Sequence, residues 1–135
     1  MDLAAIRSFV AANLTVAGFT AYGSLVDGVE LPALVLRQPK HIRYVDTYEG
    51  RATVDIALSI LVPLADLDSA QELIDRALST GDGSVVLALW ALDELAGRPW
   101  SSLAVTDVDE PGTTTLGNAA VIQADMALTF KARHS

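Results

Sequence analysis

Two segments of the chain, residues 52–62 and 120–131, alternate apolar and polar side chains with a period of two. Successive side chains of a β-strand point to opposite sides of a sheet, so each segment predicts a long strand with one buried and one wetter face. The wetter side of neither segment carries a recognisable catalytic grouping. The pattern therefore favours a sheet surface that meets water or another copy of the chain, and it favours assembly over chemistry.

The composition narrows the class of protein. The 135 residues are the usual size of one domain, so we treat residues 1–135 as a single domain with one core. A hydrophobic fraction of 51% is high for a soluble domain and indicates apolar surface buried between subunits. The formal charge of −8 argues against binding nucleic acid through the overall field. The absence of cysteine excludes disulfides, thiolate nucleophiles and cysteine metal sites.

The sequence also bears on membranes. No apolar run approaches the ~18 residues of a membrane span. The first residues carry an acid and lack the basic region of a signal peptide. We therefore expect neither a membrane segment nor a secretion signal.

Two amphipathic helices are predicted from apolar residues at three- and four-residue spacing. The first covers residues 3–13, with Asp2 placed to cap its N-terminus. The second covers residues 69–78, and Asp68 followed by Gln71 three residues later has the form of a capping box. Each helix has one apolar stripe, so we expect each to bury one side.

Residues 85–96 are predicted as a third helix that is apolar nearly all round. A strand over residues 84–90 is the alternative, which the length of the apolar stretch disfavours. Apolarity on every side predicts burial on most sides, with Trp90 in the core. We also expect Trp100 in the core, with an interface anchor as its alternative role.

The remaining segments read as extended structure. Residues 19–22 and 33–37 are predicted strands on either side of a turn at Asp27-Gly28. Residues 103–108 are a further strand, and residues 109–118 a polar connection to the closing strand. This order of elements predicts an α+β fold, in which an N-terminal helix and a central helix pair pack on a mostly antiparallel sheet.

Residues 37–51, which we call the arm, are rich in basic and aromatic side chains. Four of the nine bases of the chain fall within it. Pro39 interrupts the extended pattern, so a long, partly extended hairpin or loop is predicted. Such segments are often ordered by a partner.

Groups that support catalysis or metal binding are sparse. His41 and His134 are expected in an exposed loop and in the C-terminal tail, and no acid stands at metal-ligand spacing to either. No serine has a histidine placed as its base. The acids within residues 107–110 leave a divalent-cation site open as an alternative. We otherwise expect no catalytic residue, no cofactor and no metal, and hence a protein that is not an enzyme.

Taken together, the elements resemble those of the tail terminator proteins of long-tailed bacteriophages, also called minor tail or tail completion proteins. The resemblance lies in the order of elements rather than in one invariant motif, and it extends over most of the chain. It is carried by residues 2–13, 31–36, the arm, 52–62 with the following Pro63, 69–78 and 120–131.

The resemblance implies a structural virion protein that is made in the host cytoplasm. Six copies would form a ring that caps the head-proximal end of the tail tube and ends tube polymerisation. The ring would also give the head–tail connector proteins a surface for joining the head. DNA would pass through the ring without specific binding, and the net negative charge of the chain agrees with such a conduit.

Within this interpretation two sets of residues are candidates for function. The arm is expected to reach a neighbouring subunit or the tail tube, its bases pairing acids and its tyrosines packing; the candidates are Arg37, Lys40, Arg43, Tyr44, Tyr48 and Arg51. A flexible exposed loop is the equally weighted alternative. The wetter strand faces are expected to line the lumen of the ring through Thr53, Asp55, Gln123 and Asp125.

Other functions stay open at this point. A head–tail connector or the tail tube subunit has the same general build, and a tube subunit would polymerise into long cylinders. A small ligand-binding α+β domain is a more distant alternative. It would require converging titratable groups, which the sequence does not lead us to expect. A toxin–antitoxin or secretion-system component is a further possibility.

Overall fold

The structure is a computed structural model, and it describes residues 2–24, 29–46, 51–117 and 119–133. The predicted turn at Asp27-Gly28, together with Tyr48 and His134, lies outside these residues. Arg51 begins a strand, but its side chain is not among those described.

The described residues form three helices and six strands. Their order along the chain is α1 (Leu3–Asn13), β1 (Thr20–Tyr22), β2 (Ala33–Asp46), β3 (Arg51–Pro63), α2 (Leu67–Leu78), α3 (Val85–Asp93), β4 (Ser102–Val108), β5 (Gly112–Leu116) and β6 (Ala119–Arg133). The predicted α+β class is confirmed, with an N-terminal helix and two later helices. No helix in the described part of the chain is both long and apolar enough to span a membrane.

The strands form one sheet in the order β1-β2-β3-β6-β4. β1 runs parallel to β2, and all other pairs are antiparallel. β3 occupies one edge of β6 along its length. β4 and β5 therefore share the opposite edge of β6, where they pair with its two halves in succession. The sheet is thus two long hairpins joined through β3 and β6.

β5 corrects the prediction of a polar connection over residues 109–118. The backbone N–H of Asp109 still donates to the carbonyl of Asp125 at 2.9 Å, so the ladder of β4 continues past its end. Pro111 has no N–H to donate and separates β4 from β5. Three threonines at 113–115 then pair with β6. Threonine favours strands, and this propensity is the signal in the sequence that indicates the segment, although it was not used in the prediction.

One face of the sheet, the covered face, packs against the three helices. It carries the apolar side chains of the two alternating segments, all of which are buried except Ala120 at the end of β6. The helices contribute Ile6 and Val10 from α1, Ala70, Ile74 and Ala77 from α2, and Val85, Val86, Leu89 and Leu92 from α3. The apolar side chains of the two alternating segments thus form the sheet's share of the main core.

Trp100 completes this core beside α3, as predicted. Its ring meets Phe9 and Phe130 edge-to-face, with centroids 5.3 and 5.0 Å apart. Its indole N–H donates to Asp93 Oδ1 at 2.8 Å, so the one polar atom of the side chain is satisfied. Trp100 therefore joins α1, α3 and β6.

The start of α2 differs from the prediction. Asp66, rather than Asp68, is the N-cap, and its carboxylate accepts the backbone N–H of Asp68 at 3.1 Å. Gln71 donates to Asp75 at 2.9 Å and does not return to the cap, so the predicted capping box is wrong. The helix begins two residues earlier than expected because the acid at 66 takes the capping position.

α3 also differs from the prediction at its end and on its outer side. It ends at Asp93, three residues before the predicted boundary at 96. Trp90 is 51% exposed, so its predicted place in the core is wrong. The reason is geometric: α3 lies on the surface of the two-layer structure, and only one of its sides can be covered.

Arg7 links α1 to the sheet through hydrogen bonds. Its guanidinium donates to the carbonyl oxygens of Gly23 at 2.7 Å, Leu36 at 3.2 Å and Arg37 at 3.0 Å. Leu36 and Arg37 follow directly after the three β2 residues that pair with β1. Arg7 thus satisfies backbone acceptors where β2 continues beyond its short parallel neighbour.

Candidate functional site

The face of the sheet opposite the helices, which we call the open face, carries most of the predicted functional residues. Along the strands it has an apolar end, a polar centre and a basic end. The apolar end is a second small core of Ala33, Val35, Leu61 and Val121. Tyr22, Leu31 and Leu116 pack against it, so this end is closed to solvent. The open face is therefore not uniformly wet, as the alternation alone implied.

The centre of the open face is a hydrogen-bonded network. Arg37 Nε donates to Ser59 Oγ at 2.7 Å, and this hydroxyl donates to Asp125 Oδ1 at 2.6 Å. Gln123 Nε2 donates to the same Asp125 oxygen at 3.0 Å. Ser59 is fully buried. The network therefore links the neighbouring strands β2, β3 and β6. It places a cation, Arg37, and an anion, Asp125, on either side of the buried Ser59 hydroxyl.

The basic end of the open face is a depression of about 670 Å³, which we call the basic concavity. Its charged side chains are three bases and two acids, so it is locally positive in a chain of net charge −8. It is lined by Lys40, Arg43, Thr53, Asp55, Thr106, Asp107, Ala127, Thr129 and Lys131.

Strand register brings these residues together. Thr53 lies opposite both Arg43 and Lys131, because β3 is the strand between β2 and β6. Asp55 lies opposite Thr129 and accepts its hydroxyl at 2.8 Å. Lys40 lies at a register shift in β2 next to Pro39, where regular alternation breaks. The four strands β2, β3, β6 and β4 each contribute to one surface.

The arm is a paired hairpin over its described part. Residues 38–46 belong to β2 rather than to a loop, and His41 accordingly lies opposite Asp55 in the sheet instead of in a loop. Tyr44 is 73% exposed near the end of this strand. The expectation of an extended hairpin therefore holds, and the expectation of a loop is wrong for these residues.

Most of the predicted site residues with described side chains form two groups on the open face. Lys40 and Arg43 from the interface set meet Thr53 and Asp55 from the lumen set in the basic concavity. Arg37, Gln123 and Asp125 belong to the central network. Tyr44 belongs to neither group, since it lies opposite Ala52 of the covered face. Their roles toward a neighbour or a lumen stay predictions.

The contribution of β4 and the end of β6 to this surface was not predicted from the sequence. Thr106, Asp107 and Lys131 line the basic concavity, and five titratable side chains converge there. Our expectation that no such convergence exists is therefore wrong. The period of two placed Lys131 on the same side as Thr129, but no local pattern shows which strand lies beside β6.

No metal-binding geometry is found in the described ranges: they hold no group of three His, Cys, Asp or Glu side chains placed to share an ion. Of the acids within residues 107–110, Asp107 lines the basic concavity.

No protein-family model and no curated protein matches the chain.

Proposed function

We propose that this protein is a ring-forming structural subunit of a phage tail, of the tail terminator type. Six copies cap the head-proximal end of the tail tube, end its polymerisation and present a docking surface to the head–tail connector proteins. The order of elements described above supports this proposal through its resemblance to that family.

The observation that carries the proposal is a very long sheet covered by helices on one side only. β2, β3 and β6 have 14, 13 and 15 residues, against about 5–6 in an ordinary strand. Their open face holds an ordered polar network and the basic concavity. A solvated sheet face needs neither of these to be soluble. They are better explained by contact with other subunits.

The edges of the sheet add support. Within the described residues, no strand pairs with the outer edge of β4, and β1 covers only the first three residues of β2. Unpaired strand edges readily take up another strand, and monomeric proteins usually protect them. Pairing with a strand of a partner in the assembly would satisfy these backbone groups.

Electron microscopy and sedimentation of the purified full-length chain test the proposal. We expect rings with six-fold class averages, and a sedimenting species of six chains at the highest soluble concentration. Long cylinders would instead identify a tube subunit. A chain that stays single under these conditions, and also fails to seat on the end of tail tubes, contradicts the proposal.

The basic concavity also favours a second candidate function, the binding of a small anionic ligand. Its volume of about 670 Å³ lies in the range of ligand pockets, and three cationic groups line it. Thermal unfolding with a series of small phosphates and carboxylates tests this function. Specific binding would raise the melting temperature of the natural chain and leave that of Arg43→Glu unchanged.

A further inference from the structure

The outward side of α3 is apolar although it faces solvent. Trp90 is 51% exposed, Leu87 is 39% exposed, and Leu95 just after the helix is 40% exposed. The outer side of a surface helix is normally polar. Contiguous exposed apolar side chains mark interaction sites, and tryptophan is the residue most enriched at binding hot spots.

The basic concavity is suited to receive such a side chain. A depression of about 670 Å³ has room for an indole ring. Lys40, Arg43 and Lys131 place cations around it, and cations bind the face of tryptophan better than that of any other side chain. Among the described side chains, no ion pair joins these cations to Asp55 or Asp107.

The surroundings of the two surfaces carry opposite charge. Exposed acids surround α3 and its neighbour α2, at Asp68, Glu72, Asp75, Asp82 and Glu94. The two bases in this region are engaged locally: Arg76 donates to the carbonyl of Ala17, and Arg98 Nε lies 3.6 Å from Asp93 Oδ1. The side of the molecule that carries the helices is thus acidic, whereas the concavity on the other side is basic.

We propose that Trp90 of one copy docks in the basic concavity of a second copy of this chain. The inference rests on the proposed function, since it names the contact between neighbours in the assembly. The two surfaces differ, so the contact is head-to-tail, and it closes into a six-membered ring if each step turns by about 60°.

Docking of this kind also changes the expected place of two lumen candidates. Thr53 and Asp55 line the basic concavity, so a docked neighbour covers them. The same contact removes Lys40, Arg43 and Lys131 from any path of DNA, where exposed cations would bind phosphates. Gln123 and Asp125 lie outside the concavity and stay candidates for the lumen.

Cysteine cross-linking tests the contact, because the natural chain contains no cysteine. One preparation carries Ala91→Cys, next to Trp90 on the exposed side of α3, and the other carries Thr106→Cys in the concavity. Under mild oxidation the mixture should give a disulfide-linked heterodimer as the main product. Each preparation alone should give much less of a linked dimer, because the contact joins unlike surfaces.

Variants in the same background show whether Trp90 is responsible. Trp90→Lys, added to Ala91→Cys, should lower the heterodimer yield by about tenfold or more, as the loss of a hot-spot aromatic does. Leu67→Lys is the matched control, since Leu67 is also an apolar side chain exposed on the helix side, at 65%. It should leave the yield unchanged, and circular dichroism should show that both variants fold.

The docking contact and the ring can fail separately. A cross-link that needs Trp90, in a chain that forms no ring, retains the docking and removes the terminator function. Rings without this cross-link, or with a yield that Trp90→Lys does not change, overturn the docking and leave the ring. A third outcome is that no cross-link forms and a small anion stabilises the natural chain but not Arg43→Glu. The concavity is then the binding site of that anion, and the docking proposal is wrong.

Discussion

Gly23 lies against the backbone of α1, and a larger residue does not fit there. A Cβ placed on it would lie 2.5 Å from the carbonyl oxygen of Arg7, a separation that real Cβ atoms essentially never show. The side chain of the same Arg7 donates to the Gly23 carbonyl at 2.7 Å. Gly23 and Arg7 together therefore set how closely α1 approaches the sheet.

The substitution Gly23→Ala should lower the free energy of unfolding by about 2 kcal/mol, because the backbone must shift to accept the methyl group. Gly112→Ala is the matched control, since a Cβ at Gly112 would meet nothing within 4 Å. It should change the stability by less than about 0.5 kcal/mol. Urea denaturation followed by circular dichroism measures both, and equal stabilities would contradict this account of Gly23.

The hydroxyl of Ser59 is the centre of the open-face network, and Asp125 is its acceptor at 2.6 Å. Asp125→Ala removes the acceptor from both Ser59 and Gln123, so we expect a loss of about 2 kcal/mol of unfolding free energy. Ser59→Ala should lower the free energy of unfolding by a similar amount. The double variant should lose less than the sum of the two single losses, because both changes remove the same Ser59–Asp125 hydrogen bond. Asp109→Ala, at an exposed carboxylate in the connection between β4 and β5, should cost less than about 0.5 kcal/mol.

The N-terminus of α2 has two acids, Asp66 and Asp68, that are equally good N-cap candidates by residue type. Asp66 accepts from the backbone N–H of Asp68 and from the hydroxyl of Ser69, both at 3.1 Å. Asp68 is an exposed acid in the first turn of the helix. The first carboxylate is therefore hydrogen-bonded to the helix end, whereas the second lies in the first turn, where it interacts with the helix dipole.

This difference predicts unequal costs for two similar substitutions. Asp66→Ala should lower the free energy of unfolding by about 1 kcal/mol through loss of the cap. Asp68→Ala should lower it by only about 0.3 kcal/mol, the contribution of an exposed charge to the dipole. Chemical denaturation of the two variants distinguishes them. A larger loss for Asp68→Ala would restore the capping box that the sequence suggested.

Strong local periodicity marks the long strands β3 and β6 and the helices α1 and α2, whereas β5, which was not predicted, lacks it. β3 and β6 alternate along their whole length, so their positions were predicted to within a residue or two. β5 is fully exposed except at Leu116, and its threonines show no alternation of apolar and polar residues. Its only local signal is propensity, which is weaker than periodicity. Pairing with β6 decides that this segment is a strand.

At the scale of the assembled protein, the effect of salt on self-association distinguishes a charged contact from an apolar one. A head-to-tail contact between an acidic and a basic surface should weaken when salt rises from about 0.1 M to about 1 M, as the screening length falls from about 10 Å to about 3 Å. We expect self-association to weaken by about tenfold over this range, measured by sedimentation. Stronger association at high salt would mean that apolar burial and relief of net repulsion dominate the contact.

The candidate site was predictable only in part. The arm bases Arg37, Lys40 and Arg43 and the wetter strand faces do lie on one surface, because alternation assigns each side chain to a face of its own strand. The convergence of Lys40 and Arg43 with Asp107 and Lys131 was not predictable. It depends on β6 lying between β3 and β4, and strand neighbours are chosen by contacts between residues far apart in the chain.

Local chemistry in the chain was thus enough to specify a two-layer α+β protein. The alternating strands, the apolar stripes of α1 and α2 and an acid before α1 all act over a few residues. The side of α3 that faces solvent, the register shift at Pro39 and the grouping of charges in the concavity were set by packing. α3 is apolar on every side, so its own sequence holds no preference for which side is buried. Only its position on the sheet leaves Trp90 outside.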